Sequence, residues 1–249
     1  MSLISRYSQY DSLSPVYHDG KANNEIIIPI LDKLLLQYLP KKAQILDLGC
    51  GEGSLMKELI GKGYQATGID GSEGMLLKAR ENTSDGFYIL DDLRSFKLTP
   101  TFHAAISISV FLHIMTLEEL ISVFQNTYNA LLENGWFVFE LEDEEVYKLD
   151  LGKDKVEVNS TNDSAWIMRK NFNVKSKTAQ HHHIVFRLIE GEWQRSEVVL
   201  STRAFTKLEV QPALEKIGFT IVNIYDVERD LAINDLNMAG TKVYVCRKL

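Results

Sequence analysis

Cysteine is almost missing: Cys50 and Cys246 are the only two in 249 residues. That excludes a disulfide scaffold and supplies no structural zinc set, so a reduced, cytoplasmic setting is expected. Long apolar runs are missing as well. The longest, Ala104 to Met115, is broken by Ser107, Ser109 and His113. It falls short of the roughly 20 residues that cross a bilayer. Met1 to Tyr10 holds no apolar signal core. Positive charge is in deficit: 27 Lys and Arg against 34 Asp and Glu leave a net charge of -7, with a pI of about 5.4. Such a chain cannot rely on releasing counterions from phosphates, so nonspecific nucleic-acid binding is disfavoured, and so is an anionic membrane surface. No internal repeat and no low-complexity tract is visible. With 45% hydrophobic and 24% charged residues, the chain can fill one large domain, or a domain with one insert.

The opening segment, Met1 to Asn24, is polar and carries Tyr7, Tyr10 and Tyr17. Apolar residues at helical spacing (Ile27, Ile30, Leu31, Leu34, Leu35) predict a helix over Glu25 to Leu39, stopped by Pro40. From Ala43 onward, short apolar runs alternate with amphipathic stretches. Strands are expected at Ala43 to Leu48, Gln65 to Ile69, Phe87 to Leu90, His103 to Ser109 and Trp136 to Leu141. Helices are expected at Ser54 to Lys62, at Ser72 to Asn82 with Ser72 as N-cap, and at Thr116 to Leu132 behind a Thr116/Glu119 capping box. This is the rhythm of βαβ units and a mostly parallel sheet. After Glu142 it stops. Glu142 to Asp163 reads as a long polar loop. Ser164 to Val174, Thr178 to Ile189 and Glu192 to Phe205 read as strands with no helix between them, an antiparallel insert. The rhythm resumes at a second capping box, Thr206/Glu209, which opens a helix to Ile217 ended by Gly218. Phe219 to Val227 and Lys242 to Cys246 are the last expected strands.

The strongest local signal is Ile45-Leu46-Asp47-Leu48-Gly49-Cys50-Gly51-Glu52-Gly53. A buried strand runs into alternating glycines and then a helix. Glycine accepts positive φ and lets a ligand approach the backbone, and a helix start offers free N–H groups. A plain tight turn between strand and helix would also fit. The spacing narrows the choice. A dinucleotide fingerprint begun at Gly49 needs a glycine at position 54, which is Ser54. The Gly-Lys-Ser/Thr of a P-loop is absent. What is present is Asp47-x-Gly49-x-Gly51-x-Gly53. An anionic Asp47 beside the loop repels a pyrophosphate and favours a cationic ligand, such as an ammonium or a sulfonium.

Together with its neighbours, this loop resembles the class I S-adenosylmethionine-dependent methyltransferases. Gly68-Ile69-Asp70-Gly71-Ser72 is similar to the family's second motif. The resemblance implies that Asp70 grips the ribose hydroxyls, since a carboxylate can accept two hydrogen bonds. Gly71 stands where a bulky apolar residue often packs on adenine. Tyr88-Ile89-Leu90-Asp91-Asp92-Leu93 resembles the third motif, in which an acidic residue accepts from the adenine amino group and the next N–H serves a ring nitrogen. Asp92 with Leu93 fits that pattern better, with Asp91 in reserve. Ser107-Ile108-Ser109-Val110-Phe111-Leu112-His113 resembles the stretch after the fourth strand, where the backbone passes the reactive methyl. His103 replaces the acidic residue that usually opens that strand and reads as structural.

The resemblance covers Ala43 to Leu141 well and Thr206 to Leu249 loosely. It implies an α/β fold: a Rossmann-like, seven-stranded, mostly parallel sheet with helices on both faces and an antiparallel β insert. Residues 1–249 are expected to form one domain, with a helical cap (1–42), a donor-binding core (43–141), a lid insert (142–205) and a closing helix and strand pair (206–249). The implied cofactor is S-adenosylmethionine, leaving as S-adenosylhomocysteine. The implied donor set from the core is Asp47, Gly49, Cys50, Gly51, Gly53, Asp70, Gly71, Ser72, Met75, Asp91, Asp92, Leu93 and Ser109. Tyr10 and Tyr17 join it from the N-terminal segment.

Methyl transfer from a sulfonium is an in-line displacement on an activated donor, which needs positioning and exclusion of water. No metal is expected. Tyr7, Tyr10 and Tyr17 are candidates to close over the site, because aromatic faces attract a sulfonium. Packing of an N-terminal helix accounts for them equally. His113 is a candidate general base, against the commoner role of a hydrogen-bonded structural histidine, and Tyr17 is the second catalytic candidate. The acidic run Glu140 to Glu145 either selects a cationic amine or is a solvated loop. In His181-His182-His183 only the outer two share a strand face, too few for a metal. Cys50 has no paired histidine nearby in sequence and no nucleophilic role. The expected activity is methylation of a nitrogen or oxygen on a small-molecule acceptor. The alternatives are a protein methyltransferase and a non-catalytic donor-binding module. Neither nucleic acid nor membrane is an expected partner, and the expected state is a monomer or homodimer.

Overall fold

The computed structural model describes residues 6–17, 20–142, 155–173, 175–233 and 240–249. Two short 3-10 turns, Arg6–Ser12 and Ser14–Val16, precede helix α1 (Gly20–Leu34). Then follow β1 (Gln44–Leu48), α2 (Ser54–Gly61), β2 (Gln65–Asp70), α3 (Glu73–Asn82), β3 (Phe87–Leu90), β4 (Phe102–Ser107), α4 (Leu117–Ala130) and β5 (Leu131–Glu142). Four strands come next: β6 (Lys155–Ser160), β7 (Ser164–Asn173), β8 (Thr178–Ile189) and β9 (Glu192–Arg203). The described chain closes with α5 (Lys207–Ile217), β10 (Phe219–Asp226), α6 (Val227–Leu231) and β11 (Thr241–Lys248).

The larger sheet has the order β10-β11-β5-β4-β1-β2-β3. Only β11 runs antiparallel to its neighbours. From β1 the chain winds outward through β2 and β3, then returns to lay β4 on the other side of β1. The winding therefore reverses between β1 and β4, the point in such a sheet where a ligand crevice lies above the carboxyl ends of the strands.

Alternation along the central strands builds two cores. Ile45, Ala104, Ile106, Val138 and Val245 face α1 and α2, whereas Leu46, Leu48, Ala105, Phe137 and Phe139 face α4 and α5. Each such large side chain contributes about 1.5–3 kcal/mol when fully buried. In the second core Phe111, Phe124, Phe137 and Phe139 form one aromatic cluster, with Tyr244 stacked on Phe139 at 4.8 Å. Phe111 lies in the turn that follows β4, so this cluster anchors the loop carrying His113.

Several expectations shift. The first helix begins at Gly20 and ends at Leu34, because Leu35 leaves the helical range (φ -138°) and a 3-10 turn follows. Ser72 caps α3 as expected, accepting the Met75 N–H at 3.1 Å. The Thr206/Glu209 box is formed, with the Thr206 N–H donated to Glu209 Oε2 at 2.9 Å. At Thr116 only half of the box forms: the Glu119 carboxylate turns back to the Met115 N–H instead. His103 is structural in its contact, accepting the Gln44 N–H at 3.1 Å.

The second sheet, β6-β7-β8-β9, is antiparallel throughout. Of the stretch expected as a loop, residues 143–154 lie outside the described residues and Lys155–Ser160 form the edge strand β6. Its Lys-Val-Glu-Val-Asn-Ser alternation is inverted: Val156 and Val158 are 51% and 66% exposed, while Glu157 and Asn159 face inward. The inner face meets the N-terminal turns through Leu13, Val185, Val198 and Leu200, with Tyr10, Val16 and Trp166 packed around them. Among the described residues no helix is long and apolar enough to cross a membrane.

Candidate active site

The loop after β1 is glycine-built for a backbone reason. Gly49, Gly51 and Gly53 have φ of 77°, 53° and 76°. A Cβ on Gly49 would sit 2.5 Å from a Val110 methyl, so the β1 and β4 loops approach each other only because it is absent. Gly49 and Cys50 donate their N–H groups to the Ile69 carbonyl at 2.8 and 3.0 Å. Gly51 N–H reaches Asp70 Oδ2 and Ser72 N–H reaches Asp70 Oδ1, each at 2.9 Å. Burial raises the Asp70 carboxyl above the ordinary range, against these backbone donors.

Two adjoining cavities open above this loop. Gly49, Gly51, Asp70, Gly71, Met75 and Leu93 line the first from the sheet side. Tyr7, Tyr10, Tyr17, Ser109 and His113 line it from above, with Ile108 and Val110. Asp70 is the one carboxylate among its described lining residues. The second cavity, of about 270 Å³, lies under the inner face of β6–β9. Tyr10, Tyr17, Ser109 and His113 line both.

Six expected donor residues are not among the lining. Asp47 lies beneath the loop at 3% exposure, and its Oδ2 has no partner among the described residues. Burial, then the charge of Asp70, pushes its carboxyl up to about 7. The anion facing the cavity is therefore Asp70 rather than Asp47. Cys50 is buried, and its thiol is pushed up by burial and by Asp47. Gly53 opens α2, and Ser72 is spent as the cap of α3. The Asp92 carboxylate is held by Arg94, with Nε to Oδ1 at 2.9 Å and Nη2 to Oδ2 at 2.5 Å, and Arg94 also reaches Glu119 at 2.8 Å. Asp91 Oδ1 accepts the Asp92 N–H at 2.7 Å.

The N-terminal turns are pinned over the crevice by a residue that sequence alone does not mark. Asp11 Oδ1 accepts from Ser72 Oγ at 2.6 Å and from the Gly74 N–H at 2.9 Å. Tyr10 then meets His113: its hydroxyl lies 2.7 Å from Nε2, while Nδ1 is 3.4 Å from the Ser201 carbonyl of β9. Tyr17 stands edge-on to Tyr10, ring centres 6.2 Å apart.

Ser109 has φ 58°, a strained conformation for a side-chain-bearing residue. Glu140 holds it there, its Oε1 accepting the Ser109 N–H at 2.7 Å and the hydroxyl at 2.9 Å. Glu140 is 8% exposed, and burial pushes its carboxyl up to about 7 against those two bonds. In the acidic run, then, Glu140 lies under the site and Glu142 lines the second cavity, while Asp143 to Glu145 lie outside the described residues.

His181 and His183 face the second cavity, and His182 points away to Glu197 at 3.0 Å. His181 meets Thr202 Oγ1 at 3.2 Å, and His183 Nδ1 accepts the Trp166 indole N–H at 3.0 Å. Burial, first of all, pushes them down to about 3 and about 4, so both are neutral at pH 7. Among the described residues no group of three or more metal-binding side chains comes together.

A family model described as a methyltransferase domain matches residues 45–135. The YqeM protein of Bacillus subtilis (strain 168), whose methyltransferase name is provisional, is 26% identical over 190 residues, 74% of this chain and 76% of its own length. A solved S-adenosylmethionine-dependent methyltransferase from Clostridium acetobutylicum superposes with a TM-score of 0.73 at 18% identity, over 96% of this chain and 95% of its own. S-adenosylmethionine-bound CalS10, an amino pentose methyltransferase from Micromonospora echinaspora, gives 0.65 at 16% identity, over 96% and 94%. At these identities the structural likeness concerns the fold. Residues 45–135 thus carry a methyltransferase domain, set in a fold shared with solved S-adenosylmethionine-dependent methyltransferases.

Proposed function

We propose that this methyltransferase modifies a nitrogen or oxygen of a small molecule bound in the cavity beneath β6–β9. The observation that carries the proposal is the shared wall: Tyr10, Tyr17, Ser109 and His113 border both cavities, so a donor in one faces an acceptor in the other. The second cavity, at about 270 Å³, is near the lower end of ligand-sized pockets, roughly 300–1,000 Å³.

The first cavity suits S-adenosylmethionine on three counts. Gly51 lines the cavity with open space where a Cβ would stand, which leaves the loop backbone open to a ligand. Asp70 presents a carboxylate at a strand end and puts negative charge beside a cationic ligand. Three tyrosines supply aromatic faces for a sulfonium. Asp70 would take the ribose hydroxyls, the glycine loop the amino-acid end, and Met75 and Leu93 the adenine faces. Spacing favours Asp92 as the adenine acceptor, but Arg94 occupies its carboxylate, so we assign that role to Asp91. When bound, the donor supplies a methyl group already activated on a positive sulfur.

The chain's own work is alignment and proton handling. Glu140 fixes Ser109 where the cavities meet, and Asp11 fixes the tyrosine-bearing turns above it. With the His113 Nδ1–H donated to the Ser201 carbonyl, Nε2 carries the lone pair that accepts from the Tyr10 hydroxyl. Tyr10 can then take a proton from the acceptor and pass one to His113, whose positive charge the Ser201 carbonyl stabilises. CalS10 shares this fold and methylates an amino pentose, which supports an amine as the first acceptor to try.

The test is transfer of label from methyl-tritiated S-adenosylmethionine into fractionated metabolites and proteins. Label in the small-molecule pool is expected. Label confined to protein would overturn the acceptor class.

A further inference from the structure

We propose that His183 binds the acceptor, donating its Nε2–H to an uncharged oxygen, a hydroxyl or carbonyl, on a molecule that carries no negative charge. This rests on reading the cavity beneath β6–β9 as the acceptor site.

The tautomer follows from a neighbour. An indole nitrogen can only donate, so the 3.0 Å contact from Trp166 makes His183 Nδ1 the acceptor. A neutral imidazole must then carry its proton on Nε2. Burial keeps the ring neutral. Yet Nε2 has no partner among the described residues, although His183 is only 8% exposed. A buried donor without an acceptor is costly, and its place in the cavity wall says where the acceptor comes from.

The sign of the ligand follows from the other walls. Glu142 and Glu157 line the cavity, and neither Lys nor Arg is among its described lining residues. Lys170 shares a row with His181 but stands outside that lining. A carboxylate or phosphate oxygen would therefore meet negative charge with no cation to hold it, whereas a hydroxyl or carbonyl meets no such cost. Glu157, Met168 and His183 lie in one row across β6, β7 and β8. Two strand spacings, about 10 Å, separate the exposed Glu157 at the mouth from the buried His183. An acceptor with an oxygen at the inner end and an amine or hydroxyl toward Glu157 matches both.

The experiment compares matched amines with the full-length protein: serinol against 2-aminopropane, and glucosamine against cyclohexylamine. Wild type is expected to prefer the oxygen-bearing member by roughly 100-fold or more in kcat/KM, as sites built around a hydroxyl do. His183→Phe should lose most of that preference through KM, His183→Gln should restore part of it, and S-adenosylhomocysteine affinity should not change in either. Equal preference in wild type and His183→Phe overturns the proposal while leaving the acceptor cavity standing. Failure of every amine, with label found only in protein, overturns the underlying reading instead. A second readout needs no turnover and no variant. In ¹⁵N-histidine spectra of the S-adenosylhomocysteine complex, His183 should be the neutral Nε2–H tautomer and should shift on adding serinol or glucosamine. An Nδ1–H tautomer, or a resonance that neither compound moves, overturns it.

Discussion

The two sheets of this molecule are built on opposite logic. The seven-stranded sheet keeps most of its side chains for packing and shapes its site with backbone, three glycines at positive φ, together with one strand-end carboxylate held by Gly51 and Ser72. The four-stranded sheet turns polar side chains inward, with Glu157, Asn159, His181 and His183 facing the cavity, and leaves Val156, Val158 and Val199 exposed outside. A site made of backbone suits one invariant ligand, the donor. A site made of side chains can be retuned residue by residue, which is what a variable acceptor requires.

The comparison breaks most visibly at Gly49. Gly49→Ala combines a positive φ with a clash against Val110, so calorimetry should find donor-product binding abolished, with a stability loss of about 1–3 kcal/mol. Undiminished binding would mean that backbone does not shape the donor side. At the boundary between the cavities, Tyr10→Phe removes the hydroxyl facing His113 and should lower kcat by roughly 100-fold. Binding of S-adenosylhomocysteine should survive it. Equal losses in both would put Tyr10 wholly on the donor side.

Smaller effects sharpen the donor side itself. Asp91→Asn should weaken S-adenosylhomocysteine binding by roughly tenfold or less, whereas Asp92→Asn should lower the Tm by releasing Arg94 and leave binding alone. The reverse pattern would return the adenine contact to Asp92. The smallest effect is on pH dependence. Asp47 and Glu140 have carboxyls raised to about 7, whereas in an unfolded chain they ionise near the ordinary value of about 4. The folded state binds the extra protons, so both groups favour folding fully below that ordinary value, and the advantage is lost as pH rises to about 7. Asp47→Asn and Glu140→Gln should therefore gain Tm relative to wild type as pH climbs through that window. A constant difference would show that neither carboxyl is perturbed.

The same division decides what can be read from sequence. The glycine spacing, Asp70 at the end of β2 and Ser72 as a cap are local patterns, and each is visible there. So is the strand–helix rhythm that produces the larger sheet. What escapes depends on distant partners. Asp11 gains its role from Ser72 and Gly74, more than sixty residues away. Asp92 is held by Arg94, which Glu119 on α4 braces in turn. Glu140 reads as part of an acidic run until the alternation of β5 places it under Ser109. Asp47 is expected beside the ligand and lies beneath the loop instead. Strand β6 reads as loop because Val156 and Val158 are its only apolar residues in a polar stretch, and both face solvent in the fold.

One titration reaches the centre of this account. Calorimetry of S-adenosylhomocysteine against wild type and Asp70→Ala should show the variant binding at least about tenfold more weakly, the loss of a charged hydrogen-bond acceptor for the ribose. Equal affinity in the two proteins would contradict the placement of the donor on the β2 strand end.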